Sequence, residues 1–220
     1  MKTDPSIQVH DQTALDYDRL ASEYGYNFPD ALFGLCFEYL QPGQRILDTG
    51  IGTGLSALPF SRAGLEVYGL DGSAEMLNIC RKKNIAVQLK EWDLRTVPWP
   101  YPDRFFNHVV ACGLFHFFPD LDPAFREAAR LVKPQGIFAF TIKAPEPDSK
   151  SGIDQKFITT TIDGVQIFSH YESYIHELIA GTGFKISKAL KFLQSRGIQG
   201  QYDTYTAFVC RRLSAADEHA

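Results

Sequence analysis

The sequence predicts a three-layer α/β fold built on a mostly parallel sheet. Short apolar runs alternate with helical stretches between residues 45 and 142, and this alternation is typical of βαβ units. The apolar runs are nearly continuous, as in strands that are buried on both faces. A glycine-rich turn directly follows the first of these strands. The chain has 220 residues, which suits one such domain.

The regular part of the pattern contains five strands and three helices. Ser73 suits the N-cap of the second helix, and Pro123 suits the first turn of the third. We predict strands at 45–48, 67–71, 86–92, 108–112 and 137–142, and helices at 56–63, 74–83 and 123–131.

The pattern changes after Lys143. Residues 144–151 are rich in proline and charge and are predicted to form a loop, and two strand-like runs then flank Asp163-Gly164, a strong hairpin signal. We predict that 144–170 is a small hairpin insertion on the substrate side of the sheet. A helix at 173–180 and strands at 184–193 and 205–210 complete the prediction.

The two ends of the chain are predicted to lie outside the regular pattern. Residues 1–40 are helical and aromatic around Tyr17 to Tyr39 and are predicted to form a helical covering segment, or lid. The main domain is then 41–212, and 213–220 is predicted to be a disordered tail.

Composition narrows the classes of partner. Lys and Arg number 22 against 26 Asp and Glu, for a net charge of −4, and they form no concentrated basic patch. We therefore expect no nucleic-acid partner. The start lacks a signal-peptide pattern and no window is apolar enough to span a membrane, so we expect a cytoplasmic monomer or homodimer without a membrane partner.

The cysteines do not suggest a metal site or a disulfide framework. All four are widely spaced in apolar surroundings and form no Cys/His ligand pattern. We expect reduced core thiols and no metal. The four positions are Cys36, Cys80, Cys112 and Cys210.

The glycine-rich turn runs from Asp48 to Gly54, between a strand and a helix. Its glycines let the backbone turn sharply and approach a ligand closely, because no Cβ stands in the way. The following helix directs free N–H groups and the positive end of its dipole at the turn, which favours a phosphate or carboxylate there. In this strand–loop–helix context the turn indicates a nucleotide-like cofactor.

Two acidic residues end the next two strands. Asp71 lies about twenty residues beyond the turn, where a carboxylate is expected to bind the ribose hydroxyls of a nucleotide. Asp93 should lie beside it at the same sheet edge and can accept from an exocyclic amine such as that of adenine. Each residue has a simpler alternative role, since both aspartates could cap the turns that follow them.

With this turn and these acids, the chain resembles class I S-adenosylmethionine (SAM)-dependent methyltransferases of the small-molecule, type 11-like kind. The likeness is close over about residues 40–143 and loose elsewhere. The most specific marker is the Asp-x-Gly-x-Gly-x-Gly spacing, since dehydrogenases favour G-x-G-x-x-G. The likeness implies a Rossmann-like sandwich with a mostly parallel seven-stranded sheet and an antiparallel last strand. Gln135 departs from the family, which has glycine there.

The resemblance also implies roles for individual residues. Gly50, Gly52 and Gly54 would pass under the methionine part of SAM, and Asp48 would help to hold its amine. Asp71 would bind the ribose, and Cys112 would approach the methionine part. Further cofactor contacts are expected from Gly72, Met76, Asp93 and Leu94, and from Tyr17 and Tyr26 of the covering segment.

The acceptor side is less specific. His116 follows the fourth strand within an aromatic cluster and is our candidate for a general base or positioning group, because an ordinary histidine titrates near neutrality. A histidine packed among phenylalanines is the alternative. His170 and Tyr171 follow the predicted hairpin and could line the pocket for a small-molecule acceptor.

Two other functions fit the same residues. A nicotinamide-dependent oxidoreductase would use the glycine turn and Asp71, but the glycine spacing and Asp93 argue against it. A non-catalytic SAM-binding module that acts through protein partners would explain an acceptor side without a clear base.

Overall fold

The computed structural model describes residues 4–146, 155–162, 164–196 and 200–213. These residues form six α-helices and nine strands. The helices are α1 (Pro5–Glu23), α2 (Phe28–Cys36), α3 (Ala57–Arg62), α4 (Ala74–Lys82), α5 (Asp122–Leu131) and α6 (Glu172–Gly181). The strands are β1 (Arg45–Thr49), β2 (Glu66–Asp71), β3 (Gln88–Glu91), β4 (Phe106–Ala111), β5 (Val132–Lys143), β6 (Phe157–Ile162), β7 (Val165–His170), β8 (Phe184–Ser195) and β9 (Tyr202–Arg212).

Seven of the strands form one sheet in the order β3-β2-β1-β4-β5-β9-β8. The first five pair in parallel, and β9 runs antiparallel to both β5 and β8. The mostly parallel seven-stranded sheet with an antiparallel last strand is therefore confirmed. Its chain order reverses between β1 and β4, and in open α/β sheets such a switch point places a ligand crevice at the carboxyl ends of the strands.

Successive side chains of the central strands enter two separate cores. Ile46 and Val110 pack with α2, α3 and α4, whereas their neighbours Leu47 and Val109 pack with α5 and α6. Both faces of the sheet are therefore covered, and strands buried on two sides have no reason to alternate polar with apolar residues. The three-layer architecture follows directly from the apolar runs in the sequence.

The connection from α5 to β5 differs from the predicted helix–turn–strand. Strand β5 begins at Val132, immediately after the helix, and its pairing with β4 shifts register beyond that residue. Gln135 has φ +68° in the shifted segment, and a Cβ on the next residue, Gly136, would lie 2.1 Å from the Asn107 carbonyl oxygen. The left-handed conformation thus falls on a glutamine, and the glycine is required one residue later by close packing.

The predicted hairpin is confirmed as a separate two-stranded antiparallel sheet, β6–β7. Its turn residue Asp163, the predicted tail at 214–220 and most of the predicted loop after Ala144 lie outside the described residues. Strand β3 is shorter than predicted, since residues 86 and 87 precede its pairing with β2.

The two N-terminal helices have different positions. Leu32 and Cys36 of α2 are buried in the core on one face of the sheet, where they pack with α3 and α4. Only α1 packs across the rim of the sheet, against α4 and β7. Over the part of the chain that the structure describes, no helix combines the length and apolar character needed to cross a membrane.

Candidate active site

The glycine turn is held open by the neighbouring strand. The backbone N–H groups of Gly50 and Ile51 both donate to the Leu70 carbonyl, at 2.8 and 3.1 Å. Gly50, Gly52 and Gly54 have φ of +72°, +53° and +89°, in the left-handed region that favours glycine. A Cβ on Gly52 would meet nothing within 4 Å. The turn thus presents bare backbone to open space.

Asp71 braces the turn from the tip of β2. One carboxylate oxygen accepts from the Gly52 N–H at 2.7 Å, and the other accepts from the Ser73 N–H at 2.8 Å. Burial raises the pKa of Asp71, whereas these backbone N–H donors oppose the rise. Each carboxylate oxygen can accept two hydrogen bonds, so the brace leaves acceptor capacity for a ligand hydroxyl.

Asp48 lies beneath the turn and is buried. Its Oδ2 accepts from the Ser56 hydroxyl at 2.6 Å, whereas Oδ1 has no partner among the described residues. Burial, with a smaller contribution from the Asp71 charge, raises the pKa of Asp48 to about 7, although the Ser56 hydrogen bond opposes the rise. An unpaired buried oxygen is costly, so the site favours a donor, such as an ammonium or a protonated carboxyl, near Asp48.

A narrow cavity of about 90 Å³ runs from the turn along the tips of β2 and β3. Three chemical features share it: the Asp71 carboxylate, the Met76 side chain and the acidic tip of β3 at Asp93. Asp93 accepts from the Arg95 N–H at 3.0 Å. Of the residues named from the sequence, those that line this cavity are Tyr17, Gly50, Gly52, Asp71, Gly72, Met76, Asp93, Leu94 and Cys112.

A larger cavity of about 620 Å³ continues from the other side of the turn. Both cavities contact Gly50, Gly52 and Cys112, so they meet at the end of β4. The larger cavity also contacts Tyr26 and His116, and its far wall comes from the hairpin and from the tips of β5, β8 and β9. Its size lies within the range of small-molecule sites.

Helix α1 is fastened over the narrow cavity by three aspartates spaced seven residues apart. Asp4 pairs with Arg95 at 3.0 Å, and Asp11 accepts from the Ser73 hydroxyl at 2.5 Å. Asp18 pairs with Lys83 at 2.5 Å and accepts from a turn hydroxyl, that of Thr53, at 2.5 Å. Seven residues are close to two helical turns, so the three carboxylates share one face of α1. We call these contacts the α1 latch.

His116 lies in a short 3-10 turn after β4 and is half-buried in the larger cavity. Burial, with a smaller contribution from the Lys143 charge, lowers the pKa of His116 to about 3. The expectation of a pKa near neutrality is therefore wrong. The neutral ring packs 4.1 Å from Phe117, between ring centroids, and 6.0 Å from Tyr205. The ring can position an acceptor, but it is a weak proton acceptor at neutral pH.

A charged cluster forms the floor of the larger cavity. The buried Lys143 ammonium pairs with Asp203 at 2.8 Å. Arg196 shares the same carboxylate at 2.6 Å and also contacts Glu146 at 2.5 Å. This cluster could not be predicted from the sequence, because its members lie up to sixty residues apart and match no motif.

Some residues named from the sequence lie away from the cavities. Asp48 supports the turn from below, and Gly54 faces the core, where a Cβ would lie 2.6 Å from Ile85 Cδ1 and 2.8 Å from the Cys80 sulfur. His170 is buried and its Nε2 lies 3.2 Å from the Phe115 carbonyl oxygen. Neither His170 nor Tyr171 is among the residues that line the larger cavity, so this expectation is wrong. The hairpin instead contributes Ile162 and Ile167.

Among the residues that the structure describes, the cysteines and acidic groups form no metal centre. The cysteines are free thiols, and burial raises the pKa of Cys36, Cys80, Cys112 and Cys210. Within the described ranges, no three His, Cys, Asp or Glu side chains are grouped as a metal site would require.

Less than half of the chain matches a known protein family. Residues 47–140 match the model of a methyltransferase domain family. A demethylmenaquinone methyltransferase of Tropheryma whipplei is 33% identical over 94 residues, which cover 43% of this chain and 39% of that protein. The chain therefore matches well under two thirds of the length of this relative.

Solved structures share the fold over nearly the whole chain. A 1,6-didemethyltoxoflavin-N1-methyltransferase of Burkholderia thailandensis, solved with bound 1,6-didemethyltoxoflavin and S-adenosylhomocysteine, has a TM-score of 0.69 at 13% identity. The match covers 94% of this chain and 87% of that chain. The cyclase SpnF has a TM-score of 0.70 at 21% identity, with 96% and 97% covered. Likeness at this identity concerns the fold.

Proposed function

Since residues 47–140 match the model of a methyltransferase domain family, we propose that this protein transfers a methyl group from SAM to a small-molecule acceptor. The observation that carries the proposal is the pair of joined cavities. The narrow one has the lining that an adenosine requires, the larger one has room for an acceptor, and both meet at the turn and Cys112.

The residues present fit SAM in four respects. Asp71 has acceptor capacity left for ribose hydroxyls. Met76, Asp93 and Leu94 line the same cavity, and an adenine bound there would contact them. The bare backbone at Gly52 lets the methionine part approach closely. The unpaired oxygen of Asp48 favours a nearby ammonium, directly or through water. Bound SAM supplies an electrophilic methyl group at its sulfonium.

The chain's own contribution to catalysis is placement and exclusion of water. Holding two reacting groups in line can supply about 7–11 kcal/mol of a barrier. The rings of Tyr17, Phe117 and Tyr205 wall the larger cavity, and aromatic faces stabilise a cation such as a sulfonium. His116, neutral at physiological pH, is proposed to accept a hydrogen bond from the acceptor and orient it, rather than to remove a proton.

Two other functions would be distinguished by the binding and turnover tests below. The fold likeness to a protein named as a cyclase shows that the scaffold alone does not fix the reaction. A non-catalytic SAM-binding module would bind the cofactor without turnover. A nicotinamide-dependent oxidoreductase is the weaker alternative, because the narrow cavity ends at acidic and apolar residues after β3.

The state of the cysteines bears on where the protein is located. All four cysteines carry free thiols, which is typical of a reducing compartment. We therefore propose a cytoplasmic location, with the oligomeric state, monomer or homodimer, to be measured by light scattering.

The first test measures binding of S-adenosylhomocysteine by calorimetry. The wild type should bind, and Asp71→Ala and Gly52→Val should each lose at least tenfold in affinity. Asp71→Ala removes the proposed ribose acceptor, and Gly52→Val places a side chain in the open space beside the glycine turn. Asp16→Ala is the matched control, since Asp16 is an exposed aspartate that pairs with Arg19 on the outer face of α1. No heat with wild type at millimolar ligand would refute the proposal.

The second test follows methyl transfer from labelled SAM into a metabolite extract. Label in an organic-soluble or anionic product excludes the non-catalytic module. His116→Ala should leave S-adenosylhomocysteine affinity unchanged and lower the rate of labelling. An unchanged rate would show that His116 does not position the acceptor.

A further inference from the structure

The wall of the larger cavity carries more positive than negative charge. Its charged lining residues are Lys143, Arg196 and Asp203, within the part of the chain that the structure describes. One carboxylate therefore serves two cations. Glu146 contacts Arg196 from the exposed side and does not line the cavity. Arg196 pairs with both Glu146 and Asp203, whereas the ion pair that the structure describes for Lys143 is with Asp203.

The excess positive charge matters because Lys143 and Asp203 are both buried. Lys143 is 7% exposed and Asp203 is 8% exposed. An ammonium has three donors, and Asp203 is the described acceptor for the Lys143 charge, while it is also bound by the Arg196 guanidinium. A buried cation with an incompletely satisfied head group favours an additional anion.

The position of Lys143 is also informative. It ends β5, opposite Tyr205 of β9, and its charge acts on His116, whose pKa it lowers. His116 in turn lies four residues beyond Cys112, where the two cavities meet. The positive charge therefore reaches the part of the cavity nearest the proposed methyl donor, which carries a sulfonium cation of its own.

The rest of the wall is apolar or aromatic. It includes Phe28 and Pro29 from α2, Ile162 and Ile167 from the hairpin, and Phe117 after β4. Such a wall removes the body of a ligand from water while the charged floor fixes its head group. A hydrophilic anion would leave this apolar surface uncovered.

We propose that the larger cavity selects amphipathic organic acids, and that the Lys143 ammonium binds their carboxylate. The inference rests on the proposed function and specifies its acceptor class. Lys143 is then a specificity-determining residue, and Asp203 holds the ammonium in place. An acceptor anion also offsets the positive charge that the cofactor brings to the cavity, which a neutral or cationic acceptor does not.

The test compares acids with neutral analogues of the same shape. Binding of dodecanoate and dodecan-1-ol, and of 2-naphthoate and 2-naphthalenemethanol, is measured by calorimetry with and without saturating S-adenosylhomocysteine. At least one acid should bind at least tenfold more tightly than its alcohol. If neither acid is preferred over its alcohol, the proposal is wrong.

Variants of Lys143 separate charge from packing. Lys143→Met should remove the preference for acid over alcohol, and Lys143→Arg should retain most of it. Lys143→Met leaves Asp203 paired with Arg196, so no buried carboxylate is orphaned, and its thermal melt should resemble that of the wild type. Lys188→Met is the control, because Lys188 pairs with Glu38 and does not line the cavity. A preference that survives Lys143→Met would overturn the assignment.

The outcomes distinguish this inference from the proposed function. Acid binding is read out without turnover and also without S-adenosylhomocysteine. If S-adenosylhomocysteine binds but no acid is preferred, only the acceptor class is wrong. If an acid binds through Lys143 but S-adenosylhomocysteine does not bind, the cavity assignment holds and the methyltransferase proposal fails.

Discussion

The α1 latch predicts that opening of the narrow cavity is controlled by three carboxylates. The cavity of about 90 Å³ is far smaller than typical small-molecule sites of 300–1,000 Å³. Ile7 of α1 seals it, because its Cδ1 lies 2.6 Å from the position that a Cβ on Gly72 would occupy. We therefore expect α1 to move before an adenosine group can enter. The perturbation is the triple variant Asp4→Asn, Asp11→Asn, Asp18→Asn.

The expected magnitude follows from the exposure of each contact. Asp4 and Asp18 form partly exposed ion pairs, each worth about 0.5 kcal/mol. Asp11 accepts at the N-terminus of α4, where a negative charge is worth about 0.5 kcal/mol. Asparagine remains a good N-cap at position 4, so the helix start is preserved. The sum of about 1.5 kcal/mol corresponds to roughly a tenfold increase in the open population.

Amide hydrogen exchange within α1 is the direct assay. Exchange in α1 should be about tenfold faster in the triple variant, while α2, which is buried in the core, should be unaffected. If opening limits entry, the association rate of S-adenosylhomocysteine should rise by a similar factor. Asp16→Asn, on the outer face of the same helix, is the control. Equal exchange in the triple variant and the wild type would refute the reasoning.

Two further predictions concern stability. Burial, with a smaller effect of Lys133, lowers the pKa of His108 to about 4, so its stabilising contribution is complete above about pH 6.5 and is lost as the pH falls toward 4. Between pH 7.5 and 5 the wild type should lose about 2 kcal/mol more in urea unfolding than His108→Gln does; equal losses would contradict this. Gly136→Ala should cost about 3 kcal/mol, because its Cβ would meet the Asn107 carbonyl oxygen at 2.1 Å. Gly181 lies at the end of α6, and a Cβ there would meet nothing within 4 Å, so Gly181→Ala should raise the free energy of unfolding by about 0.5 kcal/mol. Both variants are measured by thermal melting. Similar effects at the two glycines would show that contact distance is not the cause.

The sheet and the glycine turn could be predicted because their signals are local. Strand β1, the turn from Asp48 and the acid at Asp71 occupy one short stretch, and the short length of each apolar run distinguishes a buried strand from a helix without knowledge of the fold. Ser73 was predicted as an N-cap on the same local grounds, and it accepts from the Met76 N–H at 3.1 Å. These features depend on neighbours in the chain.

The features that escaped prediction depend on distant residues. The Lys143–Asp203 pair joins the ends of β5 and β9, which become neighbours only when the sheet forms. The low pKa of His116 comes from burial and from Lys143, neither of which its own aromatic segment reveals. The α1 latch was likewise hidden, because acids at intervals of seven on a polar helix usually indicate an exposed face.

The two cavities draw on different stretches of the polypeptide. The narrow cavity is lined by α1 and by the segments that follow β1, β2, β3 and β4, whereas the outer wall of the larger one comes from the hairpin and from the far ends of β8 and β9. The hairpin forms a sheet of its own, so substitutions at Ile162 or Ile167 can reshape one chamber without disturbing the strand tips that frame the other. Because the two cavities are built from different parts of the chain, the shape and polarity of the larger cavity can change through substitutions in the second half of the chain while the lining of the narrow cavity stays the same.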